Sequence, residues 1–433
     1  MSSRASLIFL SLLVLCTLGA ARRGPARNAI LFIGDGMGIS SVTAARIHGP
    51  GPGGRLAMEL PHAALVRTYS RDRLVTDSAA GATALLAGQR VFSGVVGMSP
   101  ATLRACSLAK RMDGTPNPHH PCAAAAQPIP SLADLAARAG MAVGLVTTTS
   151  ITHATPAALY AHVDERNREP EIALQLVARQ DLSIVVGGGR ELFVGRPDGR
   201  DLLGELREQG VTVAESGTAL HAAVDEGAPR VVALLAPGYL PFELDRYAQA
   251  EQDETDLPSL AQLTELAIRH LSRSKAGYFL LVEGGRIDHA QHVNRAVAAL
   301  VETLALDEAV ATARRLTDPK DTLILVTADH GHPVVIAGSA TLEDGVLGLA
   351  RGRGVEMQDV DDDGLPDLLH DMNGEPFHTL LFANGPKSKL RLLYSTHEGS
   401  DVMAAAIGPG ADSVRGFMEL PELHRVLRNA LGL

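Results

Sequence analysis

Three short segments of this chain concentrate side chains that bind metals. Residues 283–292 read Glu283-Gly284-Gly285-Arg286-Ile287-Asp288-His289-Ala290-Gln291-His292, so Asp288 and His292 stand four residues apart, on one face of any helix that begins there. Residues 327–332 put Asp329 and His330 side by side, and Thr396-His397-Glu398-Gly399 offers a further imidazole far along the chain. Mixed imidazole and carboxylate ligands suit zinc. A lone Asp or His more often caps a helix or satisfies a core hydrogen bond, so it is the recurrence of such clusters that carries weight. A fourth segment, Thr76-Asp77-Ser78-Ala79-Ala80-Gly81-Ala82-Thr83-Ala84, is a run of small residues led by a serine that can stand at a helix start. As an ordinary cap Ser78 needs no further role. As a nucleophile it gains from the same place, because helix N–H groups and a neighbouring Zn²⁺ both stabilise developing negative charge.

Elements must exist to bring these groups together. Short β-rich apolar runs at residues 29–33, 143–147, 183–186, 231–235, 278–282 and 322–326 recur with helical patterns between them. Such alternation predicts an α/β fold with a mostly parallel central sheet and helices on both faces. Functional groups in sheets of this kind collect beyond the carboxyl ends of the strands. Asp35 follows the first run, Thr155 and Arg166 the second, Glu283 and Asp288 the fifth, and Asp329 with His330 the sixth. Residues 420–431 read as an amphipathic C-terminal helix. Stretches near 106–130 and 338–374 interrupt the pattern and read as small insertions, too small for cores of their own.

At 433 residues, 46% hydrophobic and 20% charged, the composition is that of a globular protein. The formal charge of −10 argues against a nucleic-acid footprint, since phosphate backbones are held by clustered Lys and Arg. Residues 1–20 read as a signal peptide: Arg4 is the positive start, residues 7–18 the apolar run, and Gly19-Ala20-Ala21 the small-residue cleavage region. The competing reading is a buried N-terminal helix. Export to the periplasm or beyond is therefore expected, with residues 21–433 as the mature, soluble catalytic domain. Leu15 before Cys16 fits a lipid-attachment site poorly. Cys106 and Cys122 would then meet an oxidising compartment, either bridged or as two free thiols. Closing so short a loop contributes on the order of 3 kcal/mol in the chain-entropy model.

Taken in order, Ile33-Gly34-Asp35-Gly36-Met37-Gly38, Asp77-Ser78-Ala79, Thr147-Thr148-Thr149, His153-Ala154-Thr155-Pro156, residues 283–292, residues 327–330 and Thr396-His397 resemble the alkaline phosphatases. The resemblance implies hydrolysis of small-molecule phosphate monoesters at a site of two zinc ions and one magnesium ion. One zinc would be held by Asp288, His292 and His397. The second would be held by Asp35, Asp329 and His330, with the Ser78 oxygen completing it. Magnesium would take Asp35, Thr155 and Glu283. Arg166 matches the family's phosphate-clamping arginine, whose fork suits two phosphate oxygens at once. His153 and His289 stand beside the magnesium and first zinc sites, where some bacterial members carry Asp and Lys and animal-type members carry histidine. The resemblance also makes a homodimer the default.

The rival readings are another two-metal hydrolase of the same superfamily, such as a sulfatase, phosphodiesterase or phosphomutase, and a catalytically silent phosphate- or metal-binding protein. The Thr155 and Glu283 pair and the Asp77-Ser78-Ala79 turn favour the monoesterase. One motif lies outside the family pattern: Asp359, Asp361, Asp363 and Asp367, with Gly364 between, take the spacing of a calcium-binding loop, although His370 stands where an EF-hand places its closing Glu. The two readings are a structural Ca²⁺ and a solvated acidic turn.

Overall fold

The computed structural model describes residues 25–99, 127–252, 255–336, 346–347, 380–382 and 395–433. Residues 1–20, read above as a signal peptide, Cys106, Cys122 and the acidic stretch 359–367 lie outside the described residues. Ten strands form one sheet: β1 (Asn28–Gly34), β2 (His62–Arg67), β3 (Ala142–Ser150), β4 (Ile184–Gly188), β5 (Thr212–Ala214), β6 (Val231–Leu234), β7 (Tyr278–Gly284), β8 (Thr322–Ala328), β11 (Val402–Ile407) and β12 (Gly416–Glu419). Two more, β9 (Val334–Ile336) and β10 (Leu380–Phe382), pair antiparallel as a separate ribbon. The order across the sheet is β12-β2-β11-β8-β1-β7-β3-β4-β6-β5.

The central strands are apolar along their whole length because both faces are covered. Adjacent residues on opposite faces, such as Ile30 and Leu31 in β1 or Leu280 and Leu281 in β7, are all fully buried. Truncating one of them, Leu281→Ala for example, would cost roughly 2–5 kcal/mol. All six expected strands are present, and the site-bearing ones run one to three residues past their apolar runs, to Gly34, Ser150, Gly284 and Ala328. The C-terminal helix Leu420–Leu431 forms as expected and packs on the helix Ser78–Ala87.

Register explains the convergence at one end. β1 pairs in parallel with β7 and β8, setting Ile33 beside Glu283 and Thr327, and Gly34 beside Gly284 and Ala328. β3 sets Thr147 beside Glu283. Asp35 and Asp329 therefore leave the sheet at one level, two residues beyond the level of Glu283. β11 is the exception to the parallel rule, running antiparallel to both β8 and β2. Because its direction is reversed, the segment that enters it, carrying His397, lies where the parallel strands end.

Candidate metal centre and active site

The helix Ser78–Ala87 is buried over all its residues, and Asp77, not Ser78, is its cap: the Asp77 side chain accepts the Ala80 N–H at 3.2 Å. Ser78 is thus the first helical residue, with Oγ 3.2 Å from both Asp35 Oδ1 and His330 Nε2. Close approach of this helix to the end of β8 requires Gly81, since a Cβ there would meet the Asp329 carbonyl oxygen at 2.8 Å. Gly36 has a left-handed φ of 66°, and a Cβ there would press on His332 and Asp288 at 2.7 and 2.9 Å.

Around Ser78 the predicted ligands assemble in three adjoining groups. In the first, Asp288 on the helix Arg286–His292 contacts His292 Nε2 at 3.2 Å and His332 Nε2 at 2.7 Å, while His397 Nε2 lies 3.1 Å from His292 Nε2. His292 Nδ1 faces the Ser395 carbonyl at 2.6 Å and His397 Nδ1 the Thr76 carbonyl at 3.1 Å. A carbonyl can only accept, so each Nδ1 carries a proton and each ring turns its Nε2 toward the other and toward Asp288. With both Nδ1 atoms occupied, both Nε2 atoms and the Asp288 carboxylate are the groups left to converge on a cation. Burial, followed by the charge of His330, pushes His397 down to about 3, which leaves its lone pair available.

In the second group, His330 Nε2 stands 3.2 Å from Asp35 Oδ1 and 3.6 Å from Asp329 Oδ2. Asp329 Oδ1 accepts the Gly36 and His330 N–H groups at 3.2 and 3.0 Å, but its Oδ2 and the Asp35 Oδ2 are buried without partners. In the third, Glu283 accepts from Thr147 and Thr149 through Oε2. Its Oε1 is orphaned, together with Thr155 Oγ1 and His153 Nδ1. Buried polar atoms almost always find partners, and three carboxylate oxygens left without one, on Asp35, Asp329 and Glu283, are the complement of bound cations; His153, whose Nε2 accepts from Arg166, keeps its proton on Nδ1. Burial and then the Asp35 charge push Asp329 up to about 8 and Glu283 well above the carboxylate range. Burial alone would lower His330, but Asp329 and Asp35 carry it to about 10. Divalent ions would relieve this crowding of acids, and the donors fit them: imidazole and carboxylate in the first two groups, oxygen in the third.

These groups open on a cleft of about 710 Å³ shared by Ser78, Arg166, His153, His289 and Tyr239. Arg166 enters from the loop after Thr155 and is held at both amino groups, NH1 donating to Asp77 Oδ2 at 3.1 Å and NH2 to His153 Nε2 at 2.9 Å. Every Ser, Arg, Asp, Glu and His expected at the site within the described residues reaches this place, and Thr155 is buried on the short helix Ala154–Ala157 next to His153 in the chain. Sequence reasoning missed two participants. His332 joins Asp288, His292 and His397 in one potential ligand group; its signal was present two positions after His330. Asp77 is both helix cap and tether of Arg166, a double role that no spacing reveals.

Comparisons with known proteins agree along nearly the whole chain. A family model described as alkaline phosphatase matches residues 26–433. The tissue-nonspecific alkaline phosphatase isozyme of Gallus gallus is 35% identical over 463 residues, covering 91% of this chain and 82% of that protein. The crystal structure of Thermus thermophilus alkaline phosphatase superposes with a TM-score of 0.69 at 28% identity, covering 96% of this chain and 94% of that one. The alkaline phosphatase of the Antarctic bacterium TAB5 shares the fold with a TM-score of 0.71 at 24% identity, covering 94% and 98%.

Proposed function

This chain belongs to the alkaline phosphatase family and is a metal-dependent phosphoric monoester hydrolase, and from that premise we propose that it works through a phosphorylated Ser78 at a two-zinc, one-magnesium site. Asp288, His292 and His397 would hold one zinc, oriented by His332. Asp35, Asp329 and His330 would hold the second beside Ser78, and Asp35, Thr155 and Glu283 the magnesium, with His153 and His289 at the margin. Bound divalent ions supply charge neutralisation at the phosphoryl group and lower the pKa of a hydroxyl or water.

The chain's own residues do the rest. Ser78 Oγ forms the new bond to phosphorus and the ester oxygen departs in line. Arg166 presents its fork to two phosphate oxygens, pre-aimed by Asp77 and His153. The N-terminus of the Ser78–Ala87 helix adds its N–H groups and dipole to the same negative charge. Water then cleaves the phosphoserine from the vacated side, phosphate is released, and Ser78 Oγ regains its proton. No residue in this set grips the alcohol half of the ester, so broad tolerance of small phosphate monoesters follows.

The observation that carries the reading is the position of Ser78 Oγ, at a helix start, 3.2 Å from both Asp35 and His330. Labelling with radioactive phosphate at low pH tests it. Wild type should trap covalent phosphate and Ser78→Ala none, whereas trapping at wild-type yield in the variant would remove Ser78 from the mechanism. The signal-like N-terminus further supports an exported enzyme with residues 21–433 as its mature domain. The family resemblance is the ground for a homodimer, which sedimentation would test.

A further inference from the structure

Arg286 is a charged side chain that the proposed mechanism leaves unused. Its guanidinium lies 3.7 Å over the Phe242 ring and 5.6 Å from the Tyr239 ring centre, with Nε buried and unpartnered. Among the described residues its side chain makes one hydrogen bond, from NH1 to His289 Nδ1 at 2.9 Å. The two rings hold the guanidinium by cation–π contact, and its one hydrogen bond goes to a neutral acceptor. That bond decides the chemistry of the acceptor. A guanidinium has no lone pair to offer, so His289 Nδ1 must accept, and the proton of the neutral ring is confined to Nε2.

The ring itself is also held. Tyr239 packs against it with ring centres 4.5 Å apart, and His153 meets it edge-on at 5.4 Å. Tyr239 is fixed in turn, because backbone hydrogen bonds from Gly189 to Gly238 and from Leu240 to Thr148 pin its loop onto the ends of β3 and β4. His289 lines the same cleft as Ser78 and Arg166. With Nδ1 occupied, Nε2 is the ring nitrogen left for the cleft, and no described protein group hydrogen-bonds it.

We propose that Arg286 is a positioning residue that locks His289 as the Nε2–H tautomer, so that His289 enters the cleft as a fixed hydrogen-bond donor to a non-bridging phosphate oxygen or its bound water. The role rests on the reading of this cleft as the phosphate site. It makes no demand on which metals are bound, and Arg286 itself touches no substrate.

Two measurements on the zinc- and magnesium-loaded enzyme test the proposal. Nitrogen-15 resonances of the His289 ring, assigned by their loss in His289→Ala, should report the Nε2–H tautomer in wild type and a mixture in Arg286→Met. A wild-type ring protonated at Nδ1 overturns the proposal, even if the variant fails to fold. Competitive inhibition by inorganic phosphate is the second readout. Arg286→Met should weaken it about tenfold, the low end of what one hydrogen bond to a charged acceptor contributes, with Arg286→Lys recovering part of the loss. In a His289→Ala background Arg286→Met should add nothing further. The same tenfold loss in both backgrounds would show that Arg286 does not act through His289. Absence of covalent phosphate on Ser78 in wild type would overturn the nucleophile assignment instead, and leave the tautomer to be decided by the resonance measurement.

Discussion

Asp77 joins the nucleophile's helix to the phosphate clamp, and replacing it separates the two roles. Its Oδ1 accepts from the N–H groups of Ala80 and Gly94 at 3.2 and 3.1 Å, and its Oδ2 from Arg166 at 3.1 Å. Both partners of the ion pair are largely enclosed, at 22% and 18% side-chain exposure. Asn caps helices about as well as Asp, so Asp77→Asn should keep the helix start while weakening the hold on Arg166. Asp77→Ala should lose the cap as well, at roughly 1 kcal/mol of stability. The effect on phosphate follows from entropy. Arg166 is ordered before substrate arrives by two tethers, and with only His153 left it must be ordered by the ligand, at about 0.5–1.5 kcal/mol. That corresponds to a two- to tenfold weaker inhibition by inorganic phosphate in either variant. Steady-state inhibition measures it, and denaturant unfolding separates the cap from the tether. An Asp77→Asn enzyme with wild-type phosphate affinity, or one whose defect persists unchanged in an Arg166→Ser background, would refute the tethering argument.

The metal assignments predict that Asp288→Ala or His397→Ala loses about one zinc per chain and most activity, that Glu283→Ala alters the magnesium requirement, and that His332→Ala keeps the stoichiometry while weakening zinc roughly 10- to 100-fold. Unchanged metal content by elemental analysis in the first two variants would remove the assigned site. Glu302, buried and pushed up to about 8 by burial, holds its proton in the native state where an unfolded carboxyl has lost it. Its contribution is complete below the ordinary pKa of 4.5 and lost as pH rises through about 8. Between pH 6 and 9 the wild type should therefore lose stability relative to Glu302→Gln by about 1–3 kcal/mol, and parallel unfolding curves across that range would contradict it. For the acidic loop at residues 359–367, millimolar calcium should raise the melting temperature with zinc and magnesium held constant, and Asp361→Ala/Asp363→Ala should abolish the rise. Indifference to calcium leaves the loop an ordinary acidic turn.

Much of the site was legible in the sequence because its ligands sit at strand ends that betray themselves. The apolar run 278–282 stops at Glu283 and the run 322–326 is followed within three residues by Asp329-His330, and a parallel sheet must bring such ends to one edge. The four-residue spacing of Asp288 and His292 was equally local, requiring only that one short helix form. The family resemblance then joined positions that no local pattern could connect.

What the tertiary structure alone decided lies in the long-range pairings. Nothing in the composition of residues 402–407 says that β11 runs against its neighbours, yet that reversal is what delivers His397 to the carboxyl edge. The partners that assign protons are likewise backbone carbonyls and side chains that no local pattern connects: Thr76 and Ser395 for the imidazoles of His397 and His292, and Arg166 for that of His153. A sequence determines which groups can titrate or ligate, because that is a property of the residue type. Which nitrogen carries the proton, and which carboxylate oxygen is left without a partner, depends on what the fold sets within about 3 Å of it.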